Sequence, residues 1–196
     1  MMNIEPVTLQ GSLVRLEPLR MEYASELYDA SQDPAIWTYI PVKQPRSLLE
    51  MEHLIASILQ KQSEGICLPF IITSLDHNCV VGETRYLSIM PHDYGLEIGW
   101  TWLTPSAQRS GINTECKYLL LRHAFEDMSA IRVQFKTHHL NTRSQRAIER
   151  LGAVKEGVLR NHMIMPDGSY RHSVYYSVIE SEWPSIKARL ERMMER

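Results

Sequence analysis

A six-residue stretch of the sequence has the composition and the position to bind an anion. Residues 108–113 read QRSGIN and stand between a segment that alternates like a strand and a segment with helical spacing. A helix begins with unpaired N–H groups and a partial positive charge, so a loop that opens directly into a helix can hold a phosphate. The alternative is that Gly111 only relieves crowding where the strand turns into the helix.

The strand before this loop carries a carboxylate that could accept a proton. Strict alternation over Leu96–Leu103 predicts one apolar face, formed by Leu96, Ile98, Trp100 and Trp102. Glu97 and Gly99 fall on the opposite face, and a glycine inside a strand is typical of a bulge. A carboxylate there could act as a general base; the alternative is an exposed strand glutamate with no role.

The elements that position these residues follow from the hydrophobic periodicity. Strands are predicted at 13–16, as a pair within 68–89, and at 96–103, 132–137, 153–164 and 170–179. Helices are predicted at 21–32, from Ser47 to about 65, at 111–127, at 141–151 and from about 181 onward. The strand, helix, strand order across 96–137 implies a right-handed crossover and one parallel pair. We therefore expect a single α/β domain over 1–196, with six or seven mostly antiparallel strands and helices on both faces.

Composition excludes several classes of protein. The chain has 196 residues, 44% of them hydrophobic, and 21 basic against 23 acidic residues without long blocks of one sign. Neither nucleic acid nor a membrane surface is expected as a partner, and we expect a cytoplasmic protein. The patterns G-x-x-x-x-G-K-[ST], G-x-G-x-x-G and G-x-S-x-G do not occur. NTPase, dinucleotide and hydrolase chemistry therefore lose their usual support.

A metal site is not expected. Cys67, Cys79 and Cys116 form no C-x-x-C pair, so free and mostly buried thiols are predicted. His138 and His139 are adjacent, and neighbouring strand residues point to opposite faces. No carboxylate or cysteine comes after this pair at ligand spacing.

The loop and a later block together resemble a known family. Gln108, Gly111 and the helix start match [RQ]-x-x-G-x-[GA], the signature of the GNAT superfamily of acetyl-CoA-dependent N-acetyltransferases, with Asn113 at the last position. The segment 141–183 is similar to the RimJ/RimL-type branch from its N-x-x-S-x-x-A-x-x-x-L-G-[AF]-x-x-E-G block through the end of its sheet. This branch contains ribosomal-protein N-terminal acetyltransferases. The resemblance covers nearly the whole chain.

The resemblance implies a cofactor site for acetyl-CoA. Backbone N–H groups of the loop would hold the coenzyme A pyrophosphate, and a strand bulge would free further N–H groups for the pantetheine and the thioester oxygen. For Asn141, a pantetheine contact and a helix cap are both open. The residues so implied are Ile98, Gly99, Trp100, Gln108, Arg109, Ser110, Gly111, Ile112, Asn113, Thr114 and Asn141.

The resemblance also implies two catalytic residues. Glu97 lies eleven residues before Gln108, a spacing that resembles the general base of histone acetyltransferases. Many superfamily members protonate the leaving thiolate with a tyrosine where this chain has Ile148. Ser144, one turn earlier on the same helical face, could bond the departing sulfur instead. The alternative is a serine that bonds its own helix backbone. Arg143, Arg146 and Arg150 form a basic stripe, for which a solvated charged face is expected over contact with coenzyme A phosphates.

The acceptor amine is expected to enter opposite the cofactor, beside the strand that carries Glu97. Aromatic and acidic groups would suit a cationic amine, although the aromatic residues could equally be core. The candidates are Trp37, Tyr39, Glu83, Asp93 and Tyr94.

The function predicted from these residues is transfer of an acetyl group from acetyl-CoA to a primary amine by direct attack in a ternary complex. The acceptor would be a protein N-terminus or a small-molecule amine, and the protein a monomer or homodimer. The alternative is an acyl-CoA-binding regulatory or interaction module without turnover. The Asn113 departure and the missing tyrosine favour this alternative.

Overall fold

An eight-stranded mixed sheet forms the middle layer of the molecule. The computed structural model describes residue 2 and residues 4–195. The strands are β1 (Leu9–Gln10), β2 (Val14–Pro18), β3 (Cys67–Ser74), β4 (Cys79–Met90), β5 (Gly95–Leu103), β6 (Arg132–His138), β7 (Val154–Ile164) and β8 (Tyr170–Ile179). Their order in the sheet is β1-β2-β3-β4-β5-β6-β8-β7.

The predicted α/β architecture is confirmed, with a difference of one strand. Every neighbouring pair is antiparallel except β5 and β6, which are the expected parallel pair. The additional strand is β1, which has only two residues. A periodic pattern cannot reveal so short a strand, because alternation needs several residues to register.

Helices cover both faces of the sheet. They are α1 (Ala24–Ala30), α2 (Leu48–Ser63), α3 (Ile112–Arg122), α4 (Thr142–Leu151) and α5 (Trp183–Met194). Buried residues of α3, α4 and α5 join one core cluster, and those of α1 and α2 join a second cluster on the opposite face. The predicted helix over 111–127 is α3 followed by a π-helical turn, His123–Asp127, in which Met128 N–H donates to the His123 carbonyl. No helix within the described residues is both long and apolar enough to cross a membrane.

Strand β5 does not keep one face throughout. Gly99 pairs with Arg85, and Trp102 pairs with Glu83. The three residue steps from 99 to 102 on β5 therefore lie opposite the two residue steps from 83 to 85 on β4, so β5 contains one extra residue here. This extra residue is the predicted bulge, and Trp100 adopts a positive φ of 53° within it. The prediction that Leu96, Ile98, Trp100 and Trp102 share one apolar face was wrong. Leu96 and Ile98 lie in the α3 core cluster, whereas Trp102 lies in the α1 and α2 cluster, because the extra residue reverses the alternation.

The two parallel strands separate shortly after they begin. Pairing between β5 and β6 runs only from Gly95 opposite Arg132 to Glu97 opposite Gln134. From Ile98 onward, β5 pairs with no strand on this side in the described part of the chain. A gap therefore opens between the strands immediately after Glu97, and the bulge lies along its wall.

Candidate active site

The gap between β5 and β6 is the inner part of a cavity of about 490 Å³. That volume lies within the usual range of pockets for small ligands, roughly 300–1,000 Å³. Most predicted cofactor and catalytic residues line it, namely Glu97, Ile98, Gly99, Trp100, Gln108, Arg109, Ser110, Asn113, Asn141 and Ser144. Gly111, Ile112 and Thr114 belong to the same loop and helix start but do not line the cavity.

The outer end of the cavity is the loop that opens α3. Ser110 Oγ donates to the Ala107 carbonyl over 2.7 Å and accepts from Ile112 N–H over 3.3 Å. Arg109 takes a positive φ of 62°, whereas Gly111 has an ordinary helical φ of −66°. A Cβ on Gly111 would lie 2.7 Å from Leu13 Cδ1, so close packing explains this glycine. Helix α3 thus begins beside the cavity, with Asn113 in the lining, and the first N–H groups of a helix lack intrahelical partners.

Two arginines of α4 donate hydrogen bonds to residues of this outer end. Arg143 Nη1 donates to Gln108 Oε1 over 2.6 Å, and Arg150 Nη2 donates to Thr114 Oγ1 over 3.3 Å. Both are solvent-exposed, as predicted, yet both line the cavity together with Arg146 and Arg109. The interpretation of this stripe as a solvated face alone was therefore incomplete. Four guanidinium groups and a helix N-terminus form an environment suited to phosphate groups.

The inner end of the cavity contains the Glu97 carboxylate. Glu97 is only 1% exposed, so the alternative of an exposed glutamate was wrong. Gln134 Nε2 donates to its Oε2 over 3.1 Å, and Lys136 Nζ lies 3.3 Å from the same oxygen. Both partners come from β6, directly across the gap. The carboxylate is held at the point where the two strands part.

Ser144 and Asn141 stand at the start of α4, facing the gap. Asn141 Oδ1 accepts from Ser144 N–H over 3.0 Å, so Asn141 caps the helix. This was one of the two roles predicted for it. The Ser144 hydroxyl makes no hydrogen bond to its own helix among the described residues, which removes the alternative stated for it. Ile148 is buried on the same face and also lines the cavity.

Three cations at the inner end were not identified from the sequence. Lys136 contacts Glu97, Arg171 reaches the gap from β8, and Lys117 reaches it from α3. Lys117 Nζ donates to the hydroxyl groups of Thr84 and Thr101, and burial lowers its pKa. No local motif marks these residues, since they meet only through sheet pairing and helix packing. The one signal available from the sequence was a basic residue within a segment whose pattern predicts a buried strand or helix.

Of the five predicted acceptor residues, only Tyr39 lines the cavity. Trp37 is buried against Trp102, with ring centroids 6.3 Å apart. Glu83 is buried in an ion pair with Arg85. Asp93 is exposed on the turn before β5, and the Tyr94 side chain packs against the core cluster of α3. Among the described residues, Glu97 is thus the one acidic side chain that lines the cavity, which is less than the acidic lining expected for a cationic acceptor.

The two adjacent histidines differ from the prediction made for them. The His138 and His139 rings stack with centroids 4.6 Å apart instead of pointing to opposite faces. Strand β6 ends at His138, so strand alternation does not apply to His139. His138 Nδ1 accepts from Leu140 N–H, and burial lowers its pKa. In the part of the chain that the structure describes, no three His, Cys, Asp or Glu side chains are grouped to hold a metal.

Comparisons with known proteins agree with this geometry. The profile of the acetyltransferase (GNAT) domain family matches residues 14–154. The Bacillus subtilis (strain 168) protein YdaF, whose name describes a ribosomal N-acetyltransferase, is 32% identical over 91 residues, 46% of this chain and 49% of that protein. The chain thus spans about half the length of this curated relative.

Solved structures extend the similarity over the whole fold. A crystal structure from T. thermophilus, described as that of an acetyltransferase, is 40% identical, covers 98% of this chain and 100% of its own, and has a TM-score of 0.86. Mycobacterium smegmatis RimJ in complex with CoA-disulfide has the same fold, at 22% identity, 96% and 95% coverage and a TM-score of 0.83. The names of these relatives support the predicted RimJ/RimL-like branch. The chain belongs to the GNAT acetyltransferase family, whose members use acetyl-CoA.

Proposed function

We propose that this protein transfers the acetyl group of acetyl-CoA to a primary amine by direct attack in a ternary complex. The observation that carries this proposal is the arrangement of one continuous cavity. Its outer end is a helix-opening loop surrounded by arginines, and its inner end contains a buried carboxylate where two parallel strands separate. A phosphate-bearing cosubstrate and a proton-accepting group would thus meet in the same space.

The residues present fit acetyl-CoA at both ends. The N–H groups that open α3, with Arg109, Arg143, Arg146 and Arg150, would hold the coenzyme A phosphates. The β5 backbone from Ile98 to Trp100 has no β6 partner, so those of its N–H groups that point toward the gap, unlike those that face β4, are free to bond the pantetheine and the thioester oxygen. When bound, acetyl-CoA supplies a thioester, which provides both the acetyl group and the thiolate that leaves.

Glu97 is proposed as the base for the acceptor amine. An ammonium must lose a proton before its nitrogen can form a bond to the acetyl carbon, and the buried carboxylate would take that proton directly or through one water. Lys136 and Gln134 fix the carboxylate in place, each bonding Oε2 and leaving Oε1 without a hydrogen-bond partner among the described residues. One oxygen thus remains for the amine. As the nitrogen–carbon bond forms and the carbon–sulfur bond breaks, the nitrogen releases its second proton to solvent and the negative charge passes to sulfur.

Ser144 is proposed to stabilise that sulfur. Ser144 lines the cavity, and its hydroxyl makes no hydrogen bond to its own helix among the described residues, so this hydroxyl would be available to donate a hydrogen bond to a thiolate. A serine hydroxyl is a weak acid, and its contribution is therefore stabilisation by a hydrogen bond, with the proton supplied finally from solvent.

The second candidate function is an acyl-CoA-binding module without turnover. The observation in its favour is Ile148, a buried aliphatic residue where many family members have a tyrosine acid. Such a module would use the outer end of the cavity as described, and Glu97 would serve only to pair with Lys136.

The initial rate of thiol release from acetyl-CoA, measured with and without a panel of acceptors, separates these functions. The panel contains peptides with free N-termini, lysine peptides, polyamines and aminoglycosides, and the name of YdaF adds ribosomal proteins. An acceptor-dependent rate, with a matching acetyl mass increase on the acceptor, supports the enzyme. Thermal stabilisation by acetyl-CoA without release in any arm supports the module. Absence of acetyl-CoA binding contradicts both.

A further inference from the structure

Arg171 is a buried guanidinium at the inner end of the cavity, and no carboxylate of the described residues pairs with it. It is only 6% exposed and lies on β8. Its Nε donates to Ser173 Oγ over 3.1 Å and its Nη1 donates to the Tyr39 carbonyl over 3.3 Å. Among the described residues, Nη2 has no hydrogen-bond partner and no carboxylate lies within ion-pair distance of the group. Arg171 nevertheless lines the cavity.

A buried charge without a counterion is costly, and arginine does not escape the cost by losing its proton. Burial lowers the pKa of the Arg171 guanidinium, and the Glu97 carboxylate partly offsets this effect. Two neutral oxygens compensate only part of the lost hydration. The unused Nη2 can donate a charge-assisted hydrogen bond, and a carboxylate is the acceptor that would also balance the charge of the guanidinium.

The charges around Arg171 also favour an anion as the ligand of this part of the cavity. The inner end of the cavity contains three cations, Lys117, Lys136 and Arg171, and one carboxylate, Glu97. Lys136 already contacts Glu97, so Arg171 has no anion of its own. His138 adds no negative charge, and Glu83 and Asp93 do not line the cavity. The space beside Glu97 is therefore positively charged without a ligand.

We infer that Arg171 binds a carboxylate carried by the acceptor close to its reacting amine. This inference rests on the proposed function, since it assigns the class of acceptor for the same site. The acceptor ammonium would be neutralised by Glu97 while the acceptor carboxylate pairs with Arg171. Such an acceptor is an amine with an acidic neighbour, either a peptide with an acidic residue next to its N-terminus or a free amino acid. Polyamines and aminoglycosides, which bring only positive charge, are disfavoured.

Matched acceptors test this inference on the unaltered protein. Amidated tripeptides Ala-Asp-Ala, Ala-Asn-Ala and Ala-Lys-Ala share one amine and differ in the charge beside it, and alanine with alaninamide forms the corresponding pair for a free carboxylate. We expect kcat/KM to be about 10- to 100-fold higher for the acidic member of at least one set, the range for a hydrogen bond to a charged group. The set that responds identifies the source of the carboxylate. Equal or higher values for the neutral members of both sets would overturn the inference.

An Arg171→Met variant ties the preference to this side chain. It removes the charge, keeps an unbranched buried side chain, and should abolish the acidic preference by raising KM for the acidic acceptor alone. Arg160→Met, an exposed arginine on β7 of the same hairpin, is the matched control and should keep the preference. Acetyl-CoA affinity and melting temperature of the Arg171→Met protein establish that it folds. A preference that survives in a folded Arg171→Met protein would contradict the inference.

A binding measurement keeps this test separate from that of the proposed function. Titration calorimetry of the three peptides, with coenzyme A present, reports acceptor affinity without turnover. Tighter binding of Ala-Asp-Ala, lost in Arg171→Met, supports the Arg171 site even if no acceptor is acetylated, an outcome that would count against the proposed function only. Equal affinities for the three peptides, together with equal affinities for alanine and alaninamide titrated in the same way, overturn the site.

Discussion

The two ends of the cavity achieve binding and chemistry by different physical means. At the outer end, backbone N–H groups and exposed arginines face the solvent. Arg143 and Arg150 each donate one hydrogen bond to a neighbouring side chain. At the inner end, Glu97, Lys117 and Arg171 are each no more than 6% exposed. Screening by salt weakens exposed charges much more than buried ones. The outer end should therefore tolerate substitution, and the inner end should not.

The difference shows where position matters and where charge alone suffices. A phosphate can be held by several interchangeable cations, since each contributes through a largely hydrated contact. A general base must lie within hydrogen-bond distance of one proton, so a small displacement of its carboxylate lowers the reaction rate strongly. The strand separation after Glu97 provides that position, because pairing with β6 continues up to Glu97 and ends there, while β4 still holds the other edge of β5.

The largest effect is expected from Glu97→Gln at the inner end. Glutamine keeps the size but cannot accept the amine proton, so kcat should fall by about 100-fold or more, the usual contribution of a general base. Acetyl-CoA affinity, measured by calorimetry, should change less than about threefold, because the phosphates bind elsewhere. Because the substitution also leaves Lys136 without its counterion, Glu97→Gln with Lys136→Met is the control for charge imbalance. Wild-type turnover in Glu97→Gln would remove this residue from the mechanism.

The next effect is expected from Gly99→Ala, which tests position without removing a charge. A Cβ at residue 99 would lie 2.9 Å from Leu87 Cδ1 and 3.1 Å from Glu97 Oε1. The carboxylate must then move by a few tenths of an ångström, and kcat should fall by roughly tenfold. Gly157→Ala is the control, since no atom lies within 4 Å of its added Cβ. Steady-state kinetics at saturating acetyl-CoA distinguish the two variants, and equal rates would show that Glu97 is not held tightly.

A smaller effect is expected at the outer end from the double variant Arg143→Gln with Arg150→Gln. Two exposed charge-assisted contacts to phosphate should be lost, so the Kd for acetyl-CoA should rise by roughly tenfold while kcat is retained. The difference from wild type should shrink as the salt concentration rises. Arg189→Gln with Arg192→Gln changes net charge equally on α5, away from the cavity, and should have no effect. A fall in kcat with unchanged Kd would reverse the assignment of the two ends.

The smallest effect is expected from Ser144→Ala. Loss of one neutral donor to the leaving sulfur should lower kcat by roughly three- to tenfold, the range of a single hydrogen bond. Because Asn141 bonds the Ser144 backbone N–H, the helix cap survives the substitution, and the melting temperature should stay close to that of the wild type. A comparison of acetyl-CoA with a thioester that has a less basic leaving thiol adds a specific readout. The deficit of Ser144→Ala should narrow with the better leaving group, and a constant deficit would argue against contact with sulfur.

Local signals in the sequence sufficed for the outer end of the cavity and for most of the fold. Ser47 accepts from Glu50 N–H and Asn141 caps α4, so both helices begin within one residue of the predicted position. The glycine in β5 correctly indicated a bulge. These features depend on neighbours a few residues away, which is why spacing could reveal them.

The inner end could not be predicted in the same way, because long-range pairing builds it. The bulge reverses the faces of β5, so simple alternation assigned Trp102 to the wrong face of the sheet. Arg171 meets Tyr39 from 132 residues away, and no spacing rule joins them. Glu83 and Asp93 were predicted to bind the acceptor because they are acidic and lie near β5 in the sequence. In the structure, Glu83 forms a buried ion pair with Arg85, and Asp93 lies on an exposed turn.

Hydrogen exchange of the backbone amides, followed by mass spectrometry with and without acetyl-CoA, tests most directly whether the cosubstrate spans both ends of this cavity. We expect slower exchange in two separate segments, Ile98–Trp100 on β5 and Arg109–Thr114 at the start of α3, with no change over β7. Protection of the loop alone would place the phosphates correctly but contradict the thioester position beside Glu97. Protection of neither segment, under conditions where acetyl-CoA binds, would contradict the account as a whole.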